Sequence, residues 1–217
     1  MRVVRNDRLV VCEKQATKSI KNKTPVFRLS SKSKKGKVFL SLKGFSQQKV
    51  VDVNNVAEML NGLPVAHLEG LDEIRFFPEA NKKIKAAYRA TRKGPWFGRF
   101  FTSESRIELY RIESEVEFYW SLCHELGHFV MDRKLSASDK KQWVTELHNR
   151  LGAVSKYALT NAGEDFAESY ACYLVDSTRL LESDPARYDF IKERVFQSKK
   201  NPAALAKNQK RKLDLTV

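Results

Sequence analysis

The segment Cys123-His124-Glu125-Leu126-Gly127-His128 holds the residue types from which a hydrolytic metal centre is built. Two histidines four apart on a helix lie one above the other on a single face, so both imidazoles can reach one ion. Glu125 follows the first histidine and projects beside that face, placed to accept a proton from water instead of ligating. Zn²⁺ suits such a set. It lowers the pKa of bound water and polarises a carbonyl, while the carboxylate carries the proton to the leaving amine.

Two histidines leave the site incomplete, because catalytic zinc commonly takes three protein ligands. The compact arrangement with a third histidine six residues after the second is absent, since Lys134 stands there. The remaining candidates are His148 and the carboxylates of Glu164 and Glu168 in the segment Tyr157-Ala-Leu-Thr-Asn-Ala-Gly-Glu164-Asp-Phe-Ala-Glu168-Ser-Tyr-Ala-Cys-Tyr. Glu164 and Glu168 share a helix face, and spacing alone does not separate them. Asn161-Ala-Gly-Glu164 also fits a helix cap in which Glu164 turns back to a backbone amide. Ala167 and Ala171 are small and four apart, which lets a second helix approach closely. His67 has no partner pattern and reads as structural, Cys123 reads as packing, and Cys12 reads as a small buried hydrophobe.

His-Glu-Leu-Gly-His followed by Tyr-x6-Glu-x-Phe-Ala-Glu resembles the gluzincin metallopeptidases related to the catalytic domain of anthrax lethal factor. The resemblance covers about residues 105–181 and is clearest at 120–130 and 157–174. It implies His124, His128 and Glu164 as zinc ligands and Glu125 as general base. It further implies Tyr157 as the donor that steadies the oxyanion and Glu168 as the partner that orients a ligand histidine. Asp165, beside the ligand position, departs from the pattern, where an apolar residue is common. The implied activity is a zinc endopeptidase acting on a specific protein substrate, with a toxin or effector role raised by analogy.

The elements that must position these residues are legible as patterns. Three β-rich stretches, Arg8–Glu13, Pro25–Leu29 and Lys37–Leu42, are separated by Lys/Ser/Gly-rich loops, with 30–36 as a hairpin tip. A short helix over Val53–Leu63, capped by Asn54 or Asn55, precedes strands at Ile74–Pro78, Ala86–Ala90 and Arg106–Ile112. From Ser114 the apolar period becomes helical, and Ser114 with Glu117 forms a capping-box pattern. Further helices are expected over Ser136–Leu151, Ala162–Leu181 and Pro185–Gln197. The fold class is α+β and zincin-like: a small twisted sheet upstream, then the motif helix and a mainly helical C-terminal half. The strand Arg106–Ile112 is the one expected to offer a sheet edge to an extended substrate.

The 217 residues carry a formal net charge of +14, unevenly spread. Residues 1–50 hold 14 Lys/Arg against 2 Asp/Glu, 199–217 hold 6 against 1, and 51–198 hold 20 against 23. This divides the chain into a basic β-rich segment (1–50), a catalytic body (51–198) and a basic tail (199–217). Basic ends can recruit a polyanion, either nucleic acid or an anionic membrane surface. No apolar run is long enough to span a membrane, no signal peptide is evident, and three cysteines with no CxxC pair suit a reducing compartment. These point to the cytoplasm, with a specialised secretion or injection route as a way into another cell. Two rival functions share the motif. One is a metal-dependent amidase on a small substrate, although the Glu-Gly-Cys stretch of deformylases is missing. The other is a polyanion- or protein-binding module with a structural zinc site, for which Glu125 has no use.

Overall fold

The computed structural model describes residues 10–12, 26–33, 36–77, 83–93, 102–148, 150 and 152–196. The expected basic tail, 199–217, lies outside the described residues, as do 1–9 and 13–25 of the basic N-terminal segment. The chain divides into two compact units, Met1–Asn61 with Val65–Phe118 and Gly62–Pro64 with Tyr119–Val217. Strands fill the first and helices the second, so the α+β class holds.

The first unit is a six-stranded sheet. Its strands are β1 (Val10–Cys12), β2 (Val26–Ser33), β3 (Gly36–Lys43), β4 (Glu73–Phe77), β5 (Ala86–Lys93) and β6 (Thr102–Tyr110), in the spatial order β1-β2-β3-β4-β6-β5. β2 and β3 pair antiparallel down to Ser33↔Gly36, so strand consumes most of the expected hairpin tip. β3, β4 and β6 run parallel, and β5 closes the far end antiparallel to β6. A parallel neighbour requires a crossover. The helix α1 (Val53–Asn61) lies in the connection between β3 and β4 and buries Val56, Ala57 and Leu60. Its first turn is capped by Asp52, whose carboxylate accepts from the Asn54 amide at 2.6 Å, and not by either asparagine.

Strand alternation sorts the sheet's two faces. Leu40, Leu42, Ile74, Phe76, Ile107 and Leu109 are buried, while their neighbours Lys43, Glu73, Arg75, Arg106 and Glu108 turn the other way. Phe45, Phe76 and Phe118 close the core with centroids 5.6–6.1 Å apart, Phe118 standing edge-on to the other two. Gly44 is obligatory here. Its φ is +80°, and a Cβ would stand 1.9 Å from the Phe76 carbonyl oxygen. The expectation of an open edge at Arg106–Ile112 is corrected: β6 lies between β4 and β5, so its backbone groups are engaged on both sides. Among the described residues the end strands are β1 and β5. The boundary expected near residue 50 also falls within this unit, since β3 and β4, on either side of it, pair directly.

The second unit is helical. Its main element is α2 (Glu115–Arg133), whose first residues belong to the sheet unit. Half of the expected capping box forms: the Glu117 amide donates to Ser114 Oγ at 3.2 Å, while the Glu117 carboxylate accepts at 2.9 Å from the amide of Glu113, one residue before the cap. Then come α3 (Ala137–Gln142), capped by Ser136, and a π-helical turn at Trp143–Leu147. A 3₁₀ turn at Tyr157–Thr160 leads into α4 (Ala162–Val175). The single helix expected over 162–181 is broken at Asp176, whose side chain caps α5 (Ser177–Ser183). Asp184 in turn caps α6 (Pro185–Phe190), which runs into a second π turn at Ile191–Phe196. Both breaks follow one rule: an Asp side chain satisfies the orphan amides of a new first turn better than continued helix would. Trp143, Phe166 and Phe190 pack edge-on at 4.9–5.2 Å and form the centre of the unit's core. Among the described residues no helix is long and apolar enough to cross a membrane.

Candidate metal centre

His124 and His128 occupy one face of α2, one turn apart, with ring centroids 4.7 Å apart and planes nearly perpendicular. The facing helix, α4, comes very close at this level. A Cβ added to Gly127 would lie 2.8 Å from Ala167 Cα and 3.2 Å from the Ala167 carbonyl oxygen. Glycine on one helix and alanine on the other therefore set the separation. The expected role of Ala167 holds, and its partner inside the motif is Gly127.

Across that narrow gap, Glu164 reaches the histidines. Its Oε2 is 3.1 Å from His124 Nε2 and 3.1 Å from His128 Nε2, and the two Nε2 atoms are themselves 3.1 Å apart. Three potential ligand atoms thus form a near-equilateral triangle. Tetrahedral coordination with bonds of about 2.0–2.1 Å requires ligand–ligand edges of about 3.3 Å, close to those seen. Among the described residues this trio is the one group of three or more whose atoms could hold a metal ion.

The protons strengthen the case. Glu168 Oε1 accepts from His124 Nδ1 at 2.8 Å, and a carboxylate only accepts, so Nδ1 carries the hydrogen. In neutral His124 the lone pair is then on Nε2, facing the Glu164 carboxylate and the second imidazole. One proton bridges one edge of such a triangle, whereas a divalent cation satisfies all three donors at once.

Glu168 is itself held in place, since its Oε1 accepts from Trp120 Nε1 at 3.2 Å and its carboxylate also bonds Ser155. Burial pushes the Glu168 pKa up, but the bonds from His124, Ser155 and Trp120 outweigh it and leave the group below the ordinary carboxylate value. His124 is likewise disfavoured as a cation by burial. Its bond to Glu168 and the charges of Glu125, Glu168 and Glu164 reverse that and raise its pKa. His128 moves the opposite way, lowered by burial and by the proton held on His124, with Glu164 opposing. The pair therefore binds its first proton on His124.

Glu125 is buried beside the pair, and its charge is felt by both His124 and Tyr157. Tyr157, at the start of the 3₁₀ turn, is 54% exposed; its ring centroid is 5.8 Å from that of His124, and its hydroxyl bonds Glu164. Burial, with Glu164 and Glu125 nearby, raises the phenol's pKa, so it stays a protonated donor at neutral pH.

All six residues expected from the sequence are thus neighbours. The rivals lie elsewhere. Asn161 caps α4, accepting from Gly163 and Glu164 amides at 2.9 and 3.0 Å, which leaves the Glu164 side chain free to turn to the histidines. His148 Nδ1 stands 3.4 Å from Asp165 and belongs to a different cluster. Asp165, the departure from the family pattern, is fully buried against Arg187. Two contributors have no mark in the sequence. Trp120 looked like one more apolar residue of the helix period, and Ser155 belongs to no motif. Its Oγ accepts from the Ala158 amide at 3.0 Å, tying the turn that carries Tyr157 to the residue that orients His124.

Comparison with models of known families, with curated proteins and with solved structures gives no match in any of the three.

Proposed function

We propose that this protein is a zinc-dependent endopeptidase of the gluzincin type, with the zincin-like fold and the likeness to the anthrax lethal factor catalytic domain expected from its motifs. The observation that carries the reading is the 3.1 Å triangle of His124 Nε2, His128 Nε2 and Glu164 Oε2, three ligand atoms converging at close to the spacing that tetrahedral coordination requires. When bound there, zinc would polarise the scissile carbonyl and acidify water.

The chain's own residues supply the rest. Glu125, buried beside the ligands and not one of the trio, takes the proton from the attacking water and returns it to the departing amine. A purely structural site has no use for that group, which favours an enzyme over a binding module. Tyr157, half exposed and protonated, donates to the oxygen on which charge develops. Glu168 holds His124 in the tautomer that presents Nε2 to the ion, while Trp120 and Ser155 hold Glu168. The substrate is a peptide, with an effector-type role as the biological setting and a cytoplasmic site of action.

Cleavage of a peptide library by zinc-loaded wild type and Glu125→Gln tests the reading. Wild type should cut, and the variant should keep its zinc while losing turnover by at least a hundredfold. Equal cleavage by the two, or none by loaded wild type, contradicts it.

A further inference from the structure

We infer that Arg187 and Asp165 are positioning residues for the metal centre: their buried forked contact fixes the rotation of α4 and so aims Glu164 at the two histidines. The inference rests on the metal-binding reading above.

Asp165 and Arg187 are both wholly buried, and the contact is two-pronged. Arg187 Nε lies 3.1 and 3.3 Å from the two carboxylate oxygens of Asp165, and Nη2 lies 3.2 Å from Oδ2. Arg187 is anchored in its turn. Asp184 takes its Nη1, and the same Asp184 accepts from the Ala186 and Arg187 amides at 2.9 and 3.2 Å. His148 Nδ1 approaches Asp165 from another side at 3.4 Å. Interior charge of this kind is a poor source of stability, since well-packed apolar replacements are often as stable or more so. The use such a pair can have instead is to specify geometry.

The geometry supplies one. Successive helix residues are rotated by 100°, so Glu164 and Glu168 lie within 40° of each other while Asp165 points about a quarter-turn away. The Gly127–Ala167 contact sets how far α4 stands from α2 and Glu168 ties one side of α4 to His124, Trp120 and Ser155, but an apolar contact by itself leaves rotation about the axis soft. The fork does not, because Nε and Nη2 of one rigid guanidinium both donate to Asp165 Oδ2 and hold that oxygen from two directions. A side-chain oxygen about 5–6 Å from the axis moves about 1 Å for a 10° rotation. Metal–ligand distances tolerate only about 0.2 Å. Without the fork Glu164 drifts out of the triangle even though the helices stay packed.

The test compares wild type with two variants. One is Asp165→Leu/Asp184→Asn/Arg187→Met, which keeps the α6 cap and replaces the charges by apolar groups; the other is Arg187→Lys, which keeps the charge and loses the fork. Three quantities are read: thermal midpoint of the metal-free protein, zinc affinity by chelator competition, and the visible absorption of the Co²⁺-loaded form. The expected result is a triple variant melting within a few degrees of wild type, with zinc affinity down about 10–100-fold and an altered Co²⁺ spectrum. Arg187→Lys should show the same losses of affinity and spectrum. If either variant folds and matches wild type in zinc affinity and Co²⁺ spectrum, the inference is overturned and the network is merely structural. A wild type that loads no ion removes instead the metal-binding reading beneath it.

Discussion

Charged side chains serve different ends in the two units of this chain. On the sheet, Lys43, Glu73, Arg75, Arg89, Arg106 and Glu108 form a ladder of ion pairs, with the bases 34–50% exposed. Each acid there faces at least one base. In the helical unit His124, His128 and Glu164 are at most 22% exposed, and one side-chain atom of each converges on one spot, 3.1 Å from the other two. Like charges in neighbouring positions are tolerated in the first setting because water screens them. In the second, water is largely excluded, and the three groups stand where one ion could be held. Burial and convergence, not the number of acids or histidines, distinguish a site from a decorated surface.

That contrast can be broken at either end. The largest effect should come from Glu164→Ala, which removes one donor of the triangle; zinc affinity measured by competition should fall more than about a hundredfold with the helical signal kept. Glu168→Gln leaves all three donors but weakens the hold on His124, and a loss of about 10–100-fold is expected in the same assay.

A third effect is in the pH dependence. The pKa of His124 is raised, so a proton persists there to higher pH than on a free imidazole, and zinc would compete with it. The stability this proton gives the metal-free protein is fully present below the ordinary histidine value of about 6.5 and is lost as pH rises through the raised one. Zinc binding has the opposite slope. The thermal shift on adding zinc should therefore grow from pH 6 to pH 8, with affinity rising up to about tenfold per unit while one proton is displaced. A shift that shrinks over that range would break the account. The smallest effect belongs to the sheet: Glu73→Gln should change stability by under about 1 kcal/mol and leave zinc affinity untouched.

Much of this was readable in advance, for stated reasons. The motif residues were legible because four-residue spacing maps directly onto one helix face. Glu164 was separable from Glu168 only by family resemblance, since both share that face; the structure puts one at the Nε2 side of His124 and the other at its Nδ1 side. Strand positions followed from alternation, yet their order did not. Nothing in Arg106–Ile112 tells that β6 is flanked on both sides, because pairing partners are set far along the chain. The break at Asp176 was missed because apolar periodicity runs through it, and the aspartate read as an ordinary surface residue; the break before Pro185 was legible. Asp165 stood out as an anomaly, but its partner Arg187, 22 residues on, is found only when α4 and α6 pack.

The central claim is that His124, His128 and Glu164 grip one divalent ion. Equilibrium dialysis against zinc followed by elemental analysis, on wild type and on His124→Ala/His128→Ala, addresses it without needing a substrate. One zinc per chain in wild type and none in the double variant is the predicted result. No uptake by folded wild type, or equal uptake by both, would contradict the account.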